Sequence, residues 1–141
     1  VIRSALLVLV ALACMAAAGG TETYVVSPKA TEATKTAVAE GRSPEHGYPV
    51  IDTVRWTSTT VKPGSTLEAD VLTSANIDYV EGRYKDWNFP FTQLGLGHFH
   101  LTYKVPVLPP FLIGRWKIDV IARSIDGVET RRSYEFSYTY F

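Results

Sequence analysis

Two histidines two residues apart, His98 and His100, are the side chains of this sequence best spaced to do chemistry. On a strand, residues two apart point to the same side, so both imidazoles face one way, as paired metal ligands do. A zinc centre needs a third and usually a fourth donor. His46, the other histidine, lies far away in sequence, and no acidic cluster adjoins the pair. Plain outward alternation on a solvated strand accounts for the two residues equally well. Glu68 with Asp70, and Glu81 with Asp86, are acid pairs of the sort used by glycosidases or calcium sites, but calcium-loop spacing is absent and both read as the wet face of a strand. Gly95-Leu96-Gly97 lacks the Lys-Ser/Thr and the helix that a phosphate cradle requires, and reads as a turn. No G-x-S-x-G elbow occurs, and the serines and threonines fall in turns or outward strand phases. These residues call for no catalytic constellation and no cofactor.

Aromatic side chains are the more suggestive group. Tyr79, Tyr84, Trp87, Phe89 and Phe91 crowd into one short stretch. Sugars stack their apolar ring faces on such side chains, so an exposed subset would make a ligand-binding platform for carbohydrate. Strand cores and edges also favour aromatics, which is the competing explanation. Trp87 and Tyr79 are the members expected to face solvent.

The elements that must position these residues are strands. From residue 48 onward apolar and polar residues alternate between regularly spaced turn signals, the pattern of an all-β sandwich. Strands are expected near 50–56, 66–73, 79–85, 87–91 and 98–105, then 116–124 and a last one ending at Tyr140. Leu67, Ala69 and Val71 share one face of the second, while Glu68 and Asp70 face water. Phe99, Leu101, Tyr103 and Val105 point inward from the fifth, with His98 and His100 outward. Pro90 marks the 87–91 segment as an edge. The proline-rich stretch 105–114 is a crossover between sheets, and Asp126-Gly127 forms a hairpin turn. Arg132 falls on an inward phase, where a bulge or an exposed strand mouth is expected.

The motif GRWKIDVIARSIDG, residues 114–127, resembles strand F and the F–G turn of fibronectin type III and bacterial Ig-like domains. VKPGSTLEADVLTSANIDYVEGR, residues 61–83, is similar to their A–B turn, strand B and strand C. The resemblance implies a seven-stranded immunoglobulin-like β-sandwich over residues 48–141. No cysteine pair joins strands B and F, where Ala69, Val71 and Val120 stand, and strand C has no tryptophan in phase. A disulfide-free bacterial module is therefore the better comparison than an antibody domain.

The remaining segments speak to location. Residues 5–18 are an unbroken apolar run after Arg3, shorter than the roughly 20 residues of a membrane span and suited to the h-region of an export signal. Residues 1–20 are thus read as a signal peptide, cut after Ala16-Ala17-Ala18. In a second scheme Val10 to Cys14 resembles a lipobox, which would attach the chain to a membrane through a lipidated Cys14; an uncleaved anchor is the third. Cys14 is the sole cysteine, so the exported part would hold no disulfide. Residues 21–47, rich in Thr, Ala, Ser and Glu, read as a flexible linker with a short helix over 31–40, or else as a segment that docks through Tyr24, Val25 and Val26 as an added strand. Of 141 residues, 46% are hydrophobic and 20% charged, and 14 basic side chains balance 14 acidic ones. A chain without net charge has no broad field to hold nucleic acid. The resulting expectation is a non-catalytic exported module of the cell envelope that binds or assembles with a protein, or binds a glycan, at the cell surface; a metal-dependent enzyme built on His98 and His100 is the remaining alternative.

Overall fold

The computed structural model describes residues 14–16 and 20–140. The strands are β1 (Cys14–Ala16), β2 (Gly20–Glu22), β3 (Tyr24–Val26), β4 (Ile51–Trp56), β5 (Thr60–Val61), β6 (Thr66–Thr73), β7 (Ile77–Tyr84), β8 (Trp87–Pro90), β9 (Thr92–Gly95), β10 (His98–Lys104), β11 (Gly114–Ser124) and β12 (Val128–Tyr138). One helix, α1 (Glu32–Ala39), precedes β4, and a 3-10 turn spans Pro110–Leu112. β4-β6-β10-β9 make one sheet; β3-β12-β11-β7-β8 make the other, with β5 added in parallel beside β12. The chain is a two-sheet β-sandwich.

The strict alternation of β6 and β10 decides which face each sheet buries. Leu67, Ala69 and Val71 pair in register with Tyr103, Leu101 and Phe99. The second sheet supplies Val80, Val120 and Ala122, all shielded from solvent. The interior has two halves. Ile51, Val71, Ile77, Val80, Phe99 and Val120 are among the residues of a close-packed half. Leu67, Val105, Phe136 and Tyr138 belong to an aromatic half, to which Trp56, Tyr103 and Trp116 add partly buried rings.

Both flanks of the sandwich are closed by chain that changes sheet. After β8, the edge of the larger sheet as Pro90 suggested, the chain crosses at Phe91 into β9, the edge of the smaller one. On the other flank it passes from β4 to β5. Arg132 reaches across that flank: β11 and β12 stay in register through Val120↔Arg132, so no bulge forms, and the exposed guanidinium donates to the carbonyl of Ile51 on β4. Within residues 48–141 the expected strands are present, and β5 and β9 are additional. Neither carries an alternating apolar signal: β5 is two residues long, and β9, Thr92-Gln93-Leu94-Gly95, is exposed throughout.

Residues 24–46 follow the second of the two readings open to them. β3 pairs antiparallel with β12, Val26↔Val128 to Tyr24↔Thr130. Thr31 caps α1 by accepting the Thr34 N–H, and the helix buries Thr34, Ala37 and Val38, one stripe at helical spacing. Tyr24, Val38 and Val128 make a small third cluster. A segment too poor in large apolar residues to fold alone is thus ordered by the sheet edge it covers. Most of the expected signal peptide lies outside the described residues; β1 and β2, which carries it past Cys14, pair with each other. Among the described residues no helix is long and apolar enough to cross a membrane.

Candidate functional site

Three of the five aromatics singled out in the sequence converge, and two do not. Tyr84 and Trp87 face each other across a two-residue hairpin turn, Lys85-Asp86, in which Lys85 takes a left-handed conformation with φ 51°. Phe89 follows on the same face as Trp87. All three line a cavity of about 70 Å³ at one end of the sandwich, between the sheets. Phe91 is instead buried in the close-packed half, because the chain turns from one sheet into the other at that residue and breaks the phase it shared with Trp87 and Phe89.

Tyr79 lies on the outer face of the larger sheet. There Arg123 sits over its ring at 5.0 Å and the Tyr79 hydroxyl reaches Glu81, while burial and then the Glu81 carboxylate push the phenol above its ordinary value. Glu81 itself is only 1% exposed although it points away from the sandwich interior. Its Oε1 accepts from Arg83 Nη2 at 2.6 Å. Arg83→Ala would leave that carboxylate with only the longer Tyr79 hydroxyl contact, and a loss of about 2 kcal/mol is expected in urea denaturation. Replacing both Glu81 and Arg83 by methionine should come out near neutral, since it removes the buried charge along with its partner.

The cavity gathers all three tryptophans of the chain, Trp56, Trp87 and Trp116. Trp116 stacks on Tyr84 with centroids 4.4 Å apart and rings 18° from parallel, and Trp87 tilts against it at 6.3 Å. Trp56 meets Phe136 edge-on at 4.8 Å, and Phe89 meets Tyr103 at the same distance. The exposed lining is apolar. The indole N–H of Trp56 is buried with no acceptor among the described residues.

The loop between β10 and β11 closes one side of the cavity through Pro106 and Leu108. Its backbone is held in several places. The Tyr138 hydroxyl accepts the Leu108 N–H at 3.0 Å and donates to the Pro106 carbonyl, Tyr140 donates to the Leu108 carbonyl, and Trp116 Nε1 donates to that of Leu112 at 2.9 Å. Anchored in this way, the loop turns Val107 and Phe111 outward, 74% and 82% exposed, with Ile113 beside them. Trp87, 48% exposed, and Pro106 are open parts of the lining. Proline-rich composition alone did not reveal this site; it depends on β7, β8, β10 and β11 ending together.

The histidines acquire neighbours that the sequence did not show. β10 pairs with β6 so that His100 stands opposite Asp70 and Thr102 opposite Glu68. His98 Nε2 and His100 Nδ1 lie 2.9 and 3.0 Å from the same oxygen, Asp70 Oδ1. These two hydrogen bonds, His98 first, hold the Asp70 carboxyl below the ordinary aspartate value. The missing signal was which strand pairs with which: Glu68 and Asp70 lie thirty residues from the histidines in sequence and one strand away in space.

His46 belongs to another cluster. Glu45, His46 and Asp126 place one potential ligand atom each within 4.8 Å of one another. Both oxygens of Asp126, which is buried in the β11–β12 turn, are taken by His46: the backbone N–H donates to Oδ2 and the ring Nδ1 pairs with Oδ1, each at 2.8 Å. Asn76 adds bonds from its Nδ2 to the carbonyls of His46, Gly47 and Tyr48. The cluster latches the segment after α1 onto the sandwich. The Asp126 hydrogen bond raises the His46 pKa above its ordinary 6.5. Protonated His46 therefore contributes stability that is full below the unfolded-state value and disappears as pH rises through the higher folded one. The stability gap between the wild-type protein and His46→Ala should be wider at about pH 5.5 than at about pH 8.5, as paired urea titrations would measure.

No family model matches the chain, and no curated protein does. Among solved structures it is similar to the crystal structure of a DUF4785 family protein from Legionella pneumophila, at 16% identity and a TM-score of 0.50. The match covers 60% of this chain and 27% of that one. The likeness is one of fold.

Proposed function

We propose that this chain is a non-catalytic binding module, an Ig-like sandwich of a cell envelope, that captures a partner protein by taking one branched aliphatic side chain into the aromatic cavity. The observation that carries the reading is that cavity, lined by all three tryptophans and flanked by outward-facing Val107, Phe111 and Ile113. Contiguous exposed apolar surface beside a pocket marks interaction sites in soluble proteins. Size selects the occupant. A cavity that holds benzene measures about 150 Å³, so 70 Å³ suits an inserted group about the size of a valine side chain and not a whole ring. The apolar lining favours the same choice, because sugar recognition needs convergent polar groups as well as a stacking face. Export fits this role and is part of the proposal, with release after Ala18 as the first scheme and attachment through a lipidated Cys14 as the second.

Gly82 gives the proposal a clean test. It lines the cavity, and a Cβ there would meet Ile118 and Phe89 at an ordinary 3.8 Å. Gly82→Ala should raise stability by about 0.5–1 kcal/mol, since it stiffens the unfolded chain without strain. Peptides selected from a displayed library on the wild-type protein should share a Val, Leu or Ile anchor. Their affinity should fall on cavity filling by Gly82→Ala, and by about 30-fold with Trp87→Ala. Selected peptides indifferent to both changes would sink the proposal, and glycan-array binding abolished by Trp87→Ala would put carbohydrate recognition in its place.

A further inference from the structure

We infer that the outer face of the four-stranded sheet carries a second site, for a borderline divalent transition-metal ion such as zinc or copper(II), held by His98 Nε2, His100 Nδ1 and Asp70 Oδ1. It is independent of the aromatic cavity, which lies between the sheets. Two ring nitrogens from one strand converge on a single carboxylate oxygen of the next, at 2.9 and 3.0 Å. Donors around a tetrahedral ion with bonds of about 2.0 Å stand about 3.3 Å apart, whereas the two ring nitrogens, each within 3.0 Å of Asp70 Oδ1, lie more than 4.8 Å from each other, so both rings must swing towards one another to close on the ion. His98 and Asp70 are each close to half-exposed and His100 somewhat less, which leaves an entry path and a fourth position for water.

The surroundings suit the imidazoles as ligands. When His100 Nδ1 binds the ion, its proton must sit on Nε2. That nitrogen is 3.1 Å from Thr102 Oγ1 and 3.9 Å from Glu68 Oε1, the acceptors a ligating histidine uses to fix its tautomer. His98, which donates from Nε2 to Asp70 in the free protein, must likewise move its proton to Nδ1. No net proton is released from neutral rings; each changes tautomer. Nitrogen donors select zinc and copper over calcium and magnesium, and copper(II) should bind the tighter of the two. Arg55 stands opposite Asp70 on β4 and works against the bound cation.

The experiment is titration of the full chain with zinc(II), followed by calorimetry, and with copper(II), followed by electron paramagnetic resonance. One ion per chain is expected, with a copper signal split by two imidazole nitrogens. His98→Ala, His100→Ala and Asp70→Ala should each weaken zinc by more than about tenfold while leaving the circular dichroism spectrum unchanged, because all three side chains lie on the solvent side. His46→Ala and Cys14→Ser should retain the full affinity. Failure to bind zinc tighter than roughly millimolar, or binding that survives loss of both His98 and His100, would overturn the inference. Neither result would touch the cavity reading, whose test contains no metal.

Discussion

Trp116→Ala is expected to lower the free energy of unfolding by about 3 kcal/mol and to abolish binding at the cavity. Trp116 is the ring through which the two sides of the aromatic half communicate: it stacks on Tyr84 from β7 and, at 6.0 Å and 29°, on Tyr138 from β12. The side chain is only partly buried, which places the loss at the low end of what aromatic-to-alanine changes in cores cost. Trp116→Phe separates the stack from the anchor. Phenylalanine keeps most of the ring contact but cannot donate to the Leu112 carbonyl, so the loss should be about 1 kcal/mol, the worth of that hydrogen bond. The loop carrying Val107 and Phe111 is then freed at one end, and binding should suffer more than stability does. Urea denaturation with an unchanged m value, read beside peptide affinity, checks both variants. If phenylalanine proves as damaging to stability as alanine, the anchor and not the stack holds this end together.

The contrast between Trp116 and Phe91 shows what the sequence can convey. Trp116 lies in the part of β11 where Trp116, Lys117, Ile118 and Asp119 alternate in type, so its inward phase is legible from residue types alone; the alternation fails only further along, at Val120-Ile121-Ala122. Phe91 shares a phase with Trp87 and Phe89 only if the strand continues, and it does not. Alternation reports the faces of one strand and is silent about the residue at which a chain leaves its sheet. The same limit hid the contact of both histidines with Asp70. His98 and His100 were legible as a pair and Asp70 as an outward residue, but their meeting depends on β6 lying beside β10, a pairing between segments distant in sequence. Outer-face burial was also illegible: Glu81 and Ile121 hold outward phases and are shielded all the same, opposite each other in the β7–β11 register. The docked segment, residues 24–46, is legible in its helix cap and in little else, since its order comes from the edge of β12.

Gly97→Ala should cost about 3 kcal/mol, whereas Gly95→Ala, two residues earlier in the same Gly-Leu-Gly motif, should cost no more than about 0.5. The two glycines look alike in sequence and have unlike tasks. Gly95 ends β9 in an ordinary backbone conformation, and a Cβ there would meet nothing within 4 Å. Gly97 has φ +69°, and its Cβ would stand 2.5 Å from the carbonyl oxygen of Thr73. Left-handed backbone alone costs a non-glycine residue about 1 kcal/mol. The clash adds to it because neither partner can retreat: the Thr73 N–H donates to the Gly97 carbonyl at 2.8 Å, and Thr73 is the last residue of β6. Relief must come from shifting the start of β10, where His98 follows directly. Gly97→Ala should therefore also weaken zinc at His98 and His100 in whatever fraction remains folded, while Gly95→Ala leaves it intact. Equal tolerance at the two positions would mean that this turn only links two strands and does not fix where β10 begins.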